Sequence, residues 1–207
     1  MAQSLEVTEG NGYFMDILKL QQQMEKILKP KRYLHVLGVQ FTSASLAMRY
    51  GADIEKAQLA GLLHDCAKPL SDEALISECI KYQVEIRDIE KESPYLLHSK
   101  LGAVYAKEKY GITDEEIHNS IIYHTTGSPN MGLLDKIVFV ADLIEPSRLE
   151  EHISKLPYFR SLAFQDIDLA IYEITKHTLE YLKKSGKKID TMTVDTYDFY
   201  RKLIETR

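Results

Sequence analysis

The stretch Ala60-Gly61-Leu62-Leu63-His64-Asp65-Cys66-Ala67-Lys68 decides how the chain is read. It closes an apolar helical segment that Asp53 caps at its start and Pro69 stops at its end. Two metal-binding residue types, His64 and Asp65, stand side by side where that segment finishes. Neighbouring helical positions point about 100° apart. A short Asp and a longer His can still reach one cation lying off the helix end. Imidazole with carboxylate suits iron, manganese, zinc or a similar first-row ion better than calcium. Lys68, three residues on, is placed to address an anion held by that ion. The same pair also reads as an ordinary helix end, where a His is favoured by the dipole. A carboxylate is disfavoured there, and a cation removes the conflict.

Working outward, helix signals dominate. Ile17, Leu18, Met24, Ile27 and Leu28 predict a first amphipathic helix ending near Pro30. A second runs from about Arg32 to Tyr50, with Leu34, Leu37, Val39, Phe41, Ala44, Leu46 and Ala47 apolar and Gly51 as its stop. Ser71 opens a shorter helix through Ile80. Ser93-Pro94 reads as a cap and first helical residue for the segment carrying His98, which ends at Gly111. Thr113 with Glu116 reads as a capping box for the helix leading to His124. Residues 125–132 form a turn-rich loop. Leu133 to Ile144, about Asp166 to Lys184 with Gly186 as its stop, and Thr193 to Ile204 are the remaining helices. No sustained two-residue alternation and no internal repeat is present. The expected fold class is therefore all-α, a single-domain helical bundle over residues 15–207. Residues 1–14 read as a flexible polar extension, with Met15 as an alternative start.

The chain's 207 residues suffice for one domain with a real core, and 44% hydrophobic with 28% charged residues is ordinary for a globular protein. A formal charge of −5 argues against general nucleic-acid binding, though not against a local basic pocket. Two cysteines, Cys66 and Cys79, make no disulfide scaffold and favour a reduced compartment. No run approaches the roughly 20 apolar residues of a membrane span. The opening residues lack a secretory pattern, so a cytoplasmic location without membrane contact is expected.

Two further residues stand in apolar surroundings. Asp142 interrupts Lys136-Ile137-Val138-Phe139-Val140-Ala141-Asp142-Leu143-Ile144, where a buried carboxylate needs a pairing cation, a hydrogen bond or a metal. A salt bridge to an Arg or Lys is the plainer explanation. His35 sits in Arg32-Tyr33-Leu34-His35-Val36-Leu37-Gly38-Val39, where a lone His is more often a satisfied core residue than a ligand. None is decisive singly.

As an ordered set, H…HD…D in an all-helical chain resembles the HD phosphohydrolase superfamily. That resemblance implies that His35, His64, Asp65 and Asp142 bind the catalytic metal. The flanking blocks narrow it: Arg32 to Val39, Gly61 to Lys68, His98 with Gly102, Tyr123-His124-Thr125-Thr126-Gly127, and Ala141-Asp142-Leu143-Ile144-Glu145-Pro146-Ser147-Arg148 closely resemble the YqeK family. The family implies a symmetrical diadenosine tetraphosphate hydrolase giving two ADP, with iron as the native metal; manganese or another first-row ion also suits the donors. One departure stands out, since Ser128 occupies a position where the family usually has Arg.

Within that frame, Lys68, His98 and His124 are the candidate catalytic residues. Asp65, Lys68, His98, His124, Thr125, Arg148, Lys183 and Lys184 are the candidate substrate contacts. His98 and His124 either hydrogen-bond phosphate or protonate the leaving group, or ligate a second metal; substrate contact is the preferred reading. Lys183, Lys184, Lys187 and Lys188 read first as dipole compensation at a helix end, and secondly as a polyphosphate contact. Tyr33, Tyr95 and Tyr123 pack in the core or stack on adenine. Cys66 reads as a small core residue, and His118, His152 and His177 as surface residues. A P-loop, a Rossmann fingerprint and a Nudix-type acidic helix are absent. The expected chemistry is attack by a metal-activated water, with no Ser or Cys nucleophile. An HD hydrolase of another nucleotide, or a non-catalytic nucleotide-binding module, remains the alternative, and the sequence leaves a homodimer open.

Overall fold

A computed structural model describes residues 17–151 and 153–207; the expected extension 1–14, Met15 and His152 lie outside them. Among the described residues all regular structure is helical: α1 Ile17–Ile27, α2 Pro30–Tyr50, α3 Ile54–Leu63, α4 Asp72–Lys81, α5 Asp88–Glu92, a 3-10 turn Pro94–Leu96, α6 Leu97–Glu108, α7 Glu115–Tyr123, α8 Leu133–Ile144, α9 Leu156–Ala163, α10 Ile167–Lys184 and α11 Thr191–Glu205. None of these helices is long and apolar enough to cross a membrane.

Local chemistry explains most of the boundaries. Asp53 accepts the Lys56 N–H to open α3, Ser71 accepts that of Ala74 for α4, and Asp166 accepts those of Asp168 and Leu169 for α10. Gly51 ends α2 at φ 73°, and its N–H donates to the Ala47 carbonyl. Three expectations need correction. α3 stops at Leu63, so His64 to Pro69 form successive turns instead of continuing the helix. Asp114, not Thr113, caps α7 by accepting the Ile117 N–H. Ser93 makes no side-chain cap, because Pro94 to Leu96 wind as a 3-10 turn before α6.

Two helices carry weak signals in the sequence. α5 is five mostly charged residues with no apolar period. α9 buries Leu156, Phe159, Leu162 and Ala163 at helical spacing, with Pro157 in its first turn.

The core forms where α2 packs most extensively on α3, and also on α8. Val36, Val39 and Leu46 of α2, Leu62 and Leu63 of α3, and Ile137, Val138 and Val140 of α8 are fully buried in one apolar cluster. Burying each such side chain stabilises by about 1.5–3 kcal/mol before chain entropy is counted. Gly61 lets α3 approach α2, because a Cβ there would lie 2.9 Å from the Gln40 Cα. The apolar face of α2 is narrower than its sequence suggests: Leu34 and Phe41 are each 57% exposed. This α2–α3–α8 core fixes the ends of three helices around one point.

Candidate metal centre

His35 lies in the second turn of α2, His64 and Asp65 in the turn leaving α3, and Asp142 near the end of α8. These four residues, from three separate parts of the sequence, converge. His35 Nε2 is 3.0 Å from Asp142 Oδ1, 3.3 Å from His64 Nε2 and 3.8 Å from Asp65 Oδ2. His64 Nε2 is 3.5 Å from Asp65 Oδ2 and 3.7 Å from Asp142 Oδ1. His98 and His124 adjoin on the other side of Asp65: their Nε2 atoms are 3.1 Å apart, and 3.3 and 3.7 Å from Asp65 Oδ1. Asp65 thus turns one oxygen to each pair of imidazoles.

The protonation pattern follows from the partners of each Nδ1. Those of His64, His98 and His124 face the carbonyls of Gly61, Tyr95 and Ile121, three residues earlier in each case. That of His35 faces the Glu145 carboxylate. Carbonyls and carboxylates only accept, so all four Nδ1 atoms carry the proton and all four Nε2 atoms turn toward the carboxylates. Clustered imidazole nitrogens and carboxylate oxygens call for cations between them. Two groups have metal-like spacing: His35, His64 and Asp142, and His64, Asp65 and His124. The residues therefore fit a first-row metal ion.

Charge is distributed accordingly. Burial opposes ionisation of Asp65, but the His64, His124 and His98 rings outweigh it and hold its carboxyl well below the usual range. Burial is likewise outweighed at Asp142, mainly by His35. Burial lowers His64 and pushes His98 down to about 4, keeping both neutral and able to ligate. At His35 burial also disfavours charge, yet the Asp142 and Glu145 carboxylates outweigh it and raise the pKa. A proton or a metal cation on its Nε2 satisfies the same acceptor.

Asp142 is less buried than its sequence setting implies, with its side chain 25% exposed. The salt-bridge explanation for it is also realised: Arg148 donates to its Oδ1 at 3.0 Å and to its backbone carbonyl. Lys68 comes within 3.1 Å of His98 Nε2, and its desolvated ammonium has a lowered pKa. Thr125 Oγ1 is 3.0 Å from His124 Nε2 and 3.3 Å from that of His98. Lys183 and Lys184 are exposed at the end of α10, and no hydrogen bond or ion pair given for the described residues links them to this cluster.

Glu145, Ser147 and Arg32 are functional neighbours that the motif reading quoted without assigning a role. Fully buried Glu145 accepts from His35 Nδ1 at 3.0 Å, and from the Ser147 amide and hydroxyl. Gly38 makes room for it, since a Cβ there would lie 2.3 Å from Glu145 Oε2. Arg32 donates to Asp65 Oδ2 at 2.7 Å. The available signal was a carboxylate and a glycine within the same blocks as His35 and Asp142.

Elsewhere, Tyr33 and Tyr123 pack against the core, and Tyr95 is 42% exposed. Cys66 is buried against the Gly102 carbonyl, with its thiol pushed up to about 12 by burial. His118 and His177 are half-buried instead of lying on the surface; one bonds the Ile112 carbonyl and the other packs on Phe159. Ser128 lines a separate cavity of about 310 Å³ with Tyr123 and Asn119.

The fold and site define a class: a helical protein that gathers histidines and aspartates from three helix ends into groups that could hold a metal ion. Residues 32–147 match the HD domain family. The chain is 39% identical to the symmetrical bis(5'-nucleosyl)-tetraphosphatase of Halalkalibacterium halodurans, covering 87% of this chain and 94% of that one. It is 36% identical to the protein of the same name from Bacillus subtilis, over 83% and 90%. A crystal structure from Clostridium acetobutylicum, described as a predicted HD superfamily hydrolase involved in NAD metabolism, superposes with TM-score 0.87 at 36% identity, over 93% and 99%. The chain belongs to the HD domain family, in its YqeK-like branch.

Proposed function

We propose that the chain is a metal-dependent hydrolase that splits diadenosine tetraphosphate symmetrically into two ADP. The observation carrying this reading is that His35 and His64 each lie within 3.8 Å of both Asp65 and Asp142, with Lys68 nearby, in a chain so similar to symmetrical tetraphosphatases. A metal ion held by those four residues supplies Lewis acidity toward a phosphate oxygen and lowers the pKa of water from about 15.7 toward neutrality.

The protein's own groups do the rest. Lys68 and Thr125, beside His98 and His124, offer N–H and O–H donors to the polyphosphate; Arg148 offers more from the Asp142 side. His98 and His124 adjoin Lys68 and Thr125 with Nε2 free of a proton, so either can take up there the proton the attacking water gives up and pass it to the departing oxygen. Lys183 and Lys184 are the weakest members of the substrate set, exposed at the end of α10. The imidazole–carboxylate donor set supports iron, with manganese as an alternative. Two free, buried cysteines support a reducing, cytoplasmic setting.

A second reading of His98 and His124 is favoured by the His64, Asp65 and His124 spacing: with His98 these residues would hold a second cation. Metal per chain, measured by elemental analysis, decides between one and two. For the reaction, the iron- or manganese-loaded protein is incubated with diadenosine tetraphosphate. ADP alone is expected. AMP with ATP would reject the symmetrical assignment, and preferential turnover of a mononucleotide or an alarmone would select the alternative hydrolase. Nucleotide binding without turnover under any metal would leave the binding module.

A further inference from the structure

Next to the metal centre, between the start of α2 and the segment following α8, lies a cleft of about 330 Å³. His35 and Glu145 form its inner end, and its lining includes Lys29, Lys31, Arg32, Arg148, Leu149 and Ile153. In a chain of net charge −5, four cations here face a single carboxylate, Glu145, which His35 and Ser147 already occupy. The cleft also sits at the start of the 21-residue α2, which opens at Lys29-Pro30 without a side-chain cap. The free amides and positive dipole end there add to the same field.

The two arginines connect this field to the reacting centre. Arg32 touches Asp65 Oδ2 at 2.7 Å and Arg148 touches Asp142 Oδ1 at 3.0 Å. A guanidinium has five N–H donors, so each can hold a carboxylate and still address a phosphate in the cleft. Lys29 and Lys31 are exposed and supply more mobile charge. Leu149, 50% exposed, and Ile153 add an apolar surface to the lining. Several cations with a small apolar wall is the chemistry of a diphosphate attached to a nucleoside, and the volume is at the lower end for a ligand pocket.

Asp65 separates two arms: its Oδ2 accepts from Arg32, which lines this cleft, while its Oδ1 faces His98 and His124, beside Lys68 and Thr125. We infer that the cleft binds one nucleoside diphosphate half of the substrate, with Lys29, Lys31, Arg32 and Arg148 on its two phosphates and Leu149 and Ile153 against the nucleoside. The other half runs past Lys68 and Thr125. The assignment of halves rests on the hydrolase reading above. It explains how the cut falls between two equal halves: one side of the metal centre accommodates a nucleoside and two phosphates.

The test is calorimetric titration of the metal-loaded full chain with ADP and, separately, with pyrophosphate. Lys29→Glu/Lys31→Glu is expected to raise both Kd values about tenfold, with Lys29→Gln/Lys31→Gln intermediate. Leu149→Ser is expected to weaken ADP severalfold and leave pyrophosphate unaffected. Lys107→Glu/Lys202→Glu, the same charge change on exposed lysines of α6 and α11, should alter neither. Unchanged Kd values in the Lys29/Lys31 variants, or an equal weakening in the Lys107/Lys202 variant, overturn the site. Equal responses of ADP and pyrophosphate to Leu149→Ser overturn the nucleoside wall. Hydrolysis of diadenosine tetraphosphate is followed in parallel. Lysine-dependent ADP binding without hydrolysis sinks the hydrolase reading and leaves the cleft. Hydrolysis with lysine-independent binding does the reverse.

Discussion

Glu145 Oε1 lies 3.0 Å from His35 Nδ1, and this contact fixes which ring nitrogen turns to the metal centre. The carboxylate is fully buried, held by the Ser147 amide and hydroxyl, and enters through the space above Gly38. It raises the basicity of the imidazole and locks the ring's rotation. Glu145→Ala should therefore weaken metal binding about 10–100-fold, and Glu145→Gln less, because an amide oxygen still accepts from Nδ1. Chelator competition measures this without reference to turnover. Gly38→Ala, whose methyl would displace the carboxylate, should resemble Glu145→Ala.

Asp65 is the residue shared by both groups of imidazoles. Asp65→Ala is expected to abolish activity and reduce bound metal below stoichiometric levels while the far-ultraviolet circular dichroism stays helical. Elemental analysis after dialysis checks the first part. Retention of a full metal complement would show that the histidines and Asp142 suffice.

Gly61 couples the core to the site, because it sets how closely α3 approaches α2 just before His64. Its Cβ would meet backbone atoms of Gln40 at 2.9 and 3.0 Å, and backbone yields less readily than a side-chain tip. Gly61→Ala should destabilise the fold by about 1–3 kcal/mol through overpacking. The metal Kd should rise as well, since the His64 Nδ1 partner is the Gly61 carbonyl. Thermal denaturation with and without metal separates the two effects.

Asp135, in the first turn of α8, is buried without an ion pair among the described residues, and burial with nearby Glu116 raises its pKa to about 6. A raised carboxyl keeps its proton when the unfolded chain has lost its own. Its contribution is therefore complete below about pH 3.8 and is lost as pH climbs through about 6. Asp135→Asn keeps an acceptor for the Gly132 amide without the charge. The variant should gain stability over wild type between pH 5 and pH 8, on the order of 2 kcal/mol. Denaturant midpoints at the two pH values test this; a constant difference would mean that Asp135 titrates normally.

The sequence by itself determined the helical class, most caps and stops, and four residues that the fold brings together as a candidate metal centre. It could do so because apolar periodicity, capping side chains and the order of His35, His64-Asp65 and Asp142 are local or written in linear spacing. It read α3 as running on to Pro69, because helix propensity does not reveal that the metal-facing turn begins at His64. Only the tertiary structure decided what surrounds those candidate ligands. Glu145 became the partner of His35 from 110 positions away, Gly38 became its opening, and Arg32 came to rest on Asp65. Lys29, Lys31 and Arg148 gathered in one cleft that leaves Lys183 and Lys184 outside its lining. Such pairings depend on how α2, α3 and α8 cross, and a crossing is set by side-chain packing across the core, which no single helix encodes.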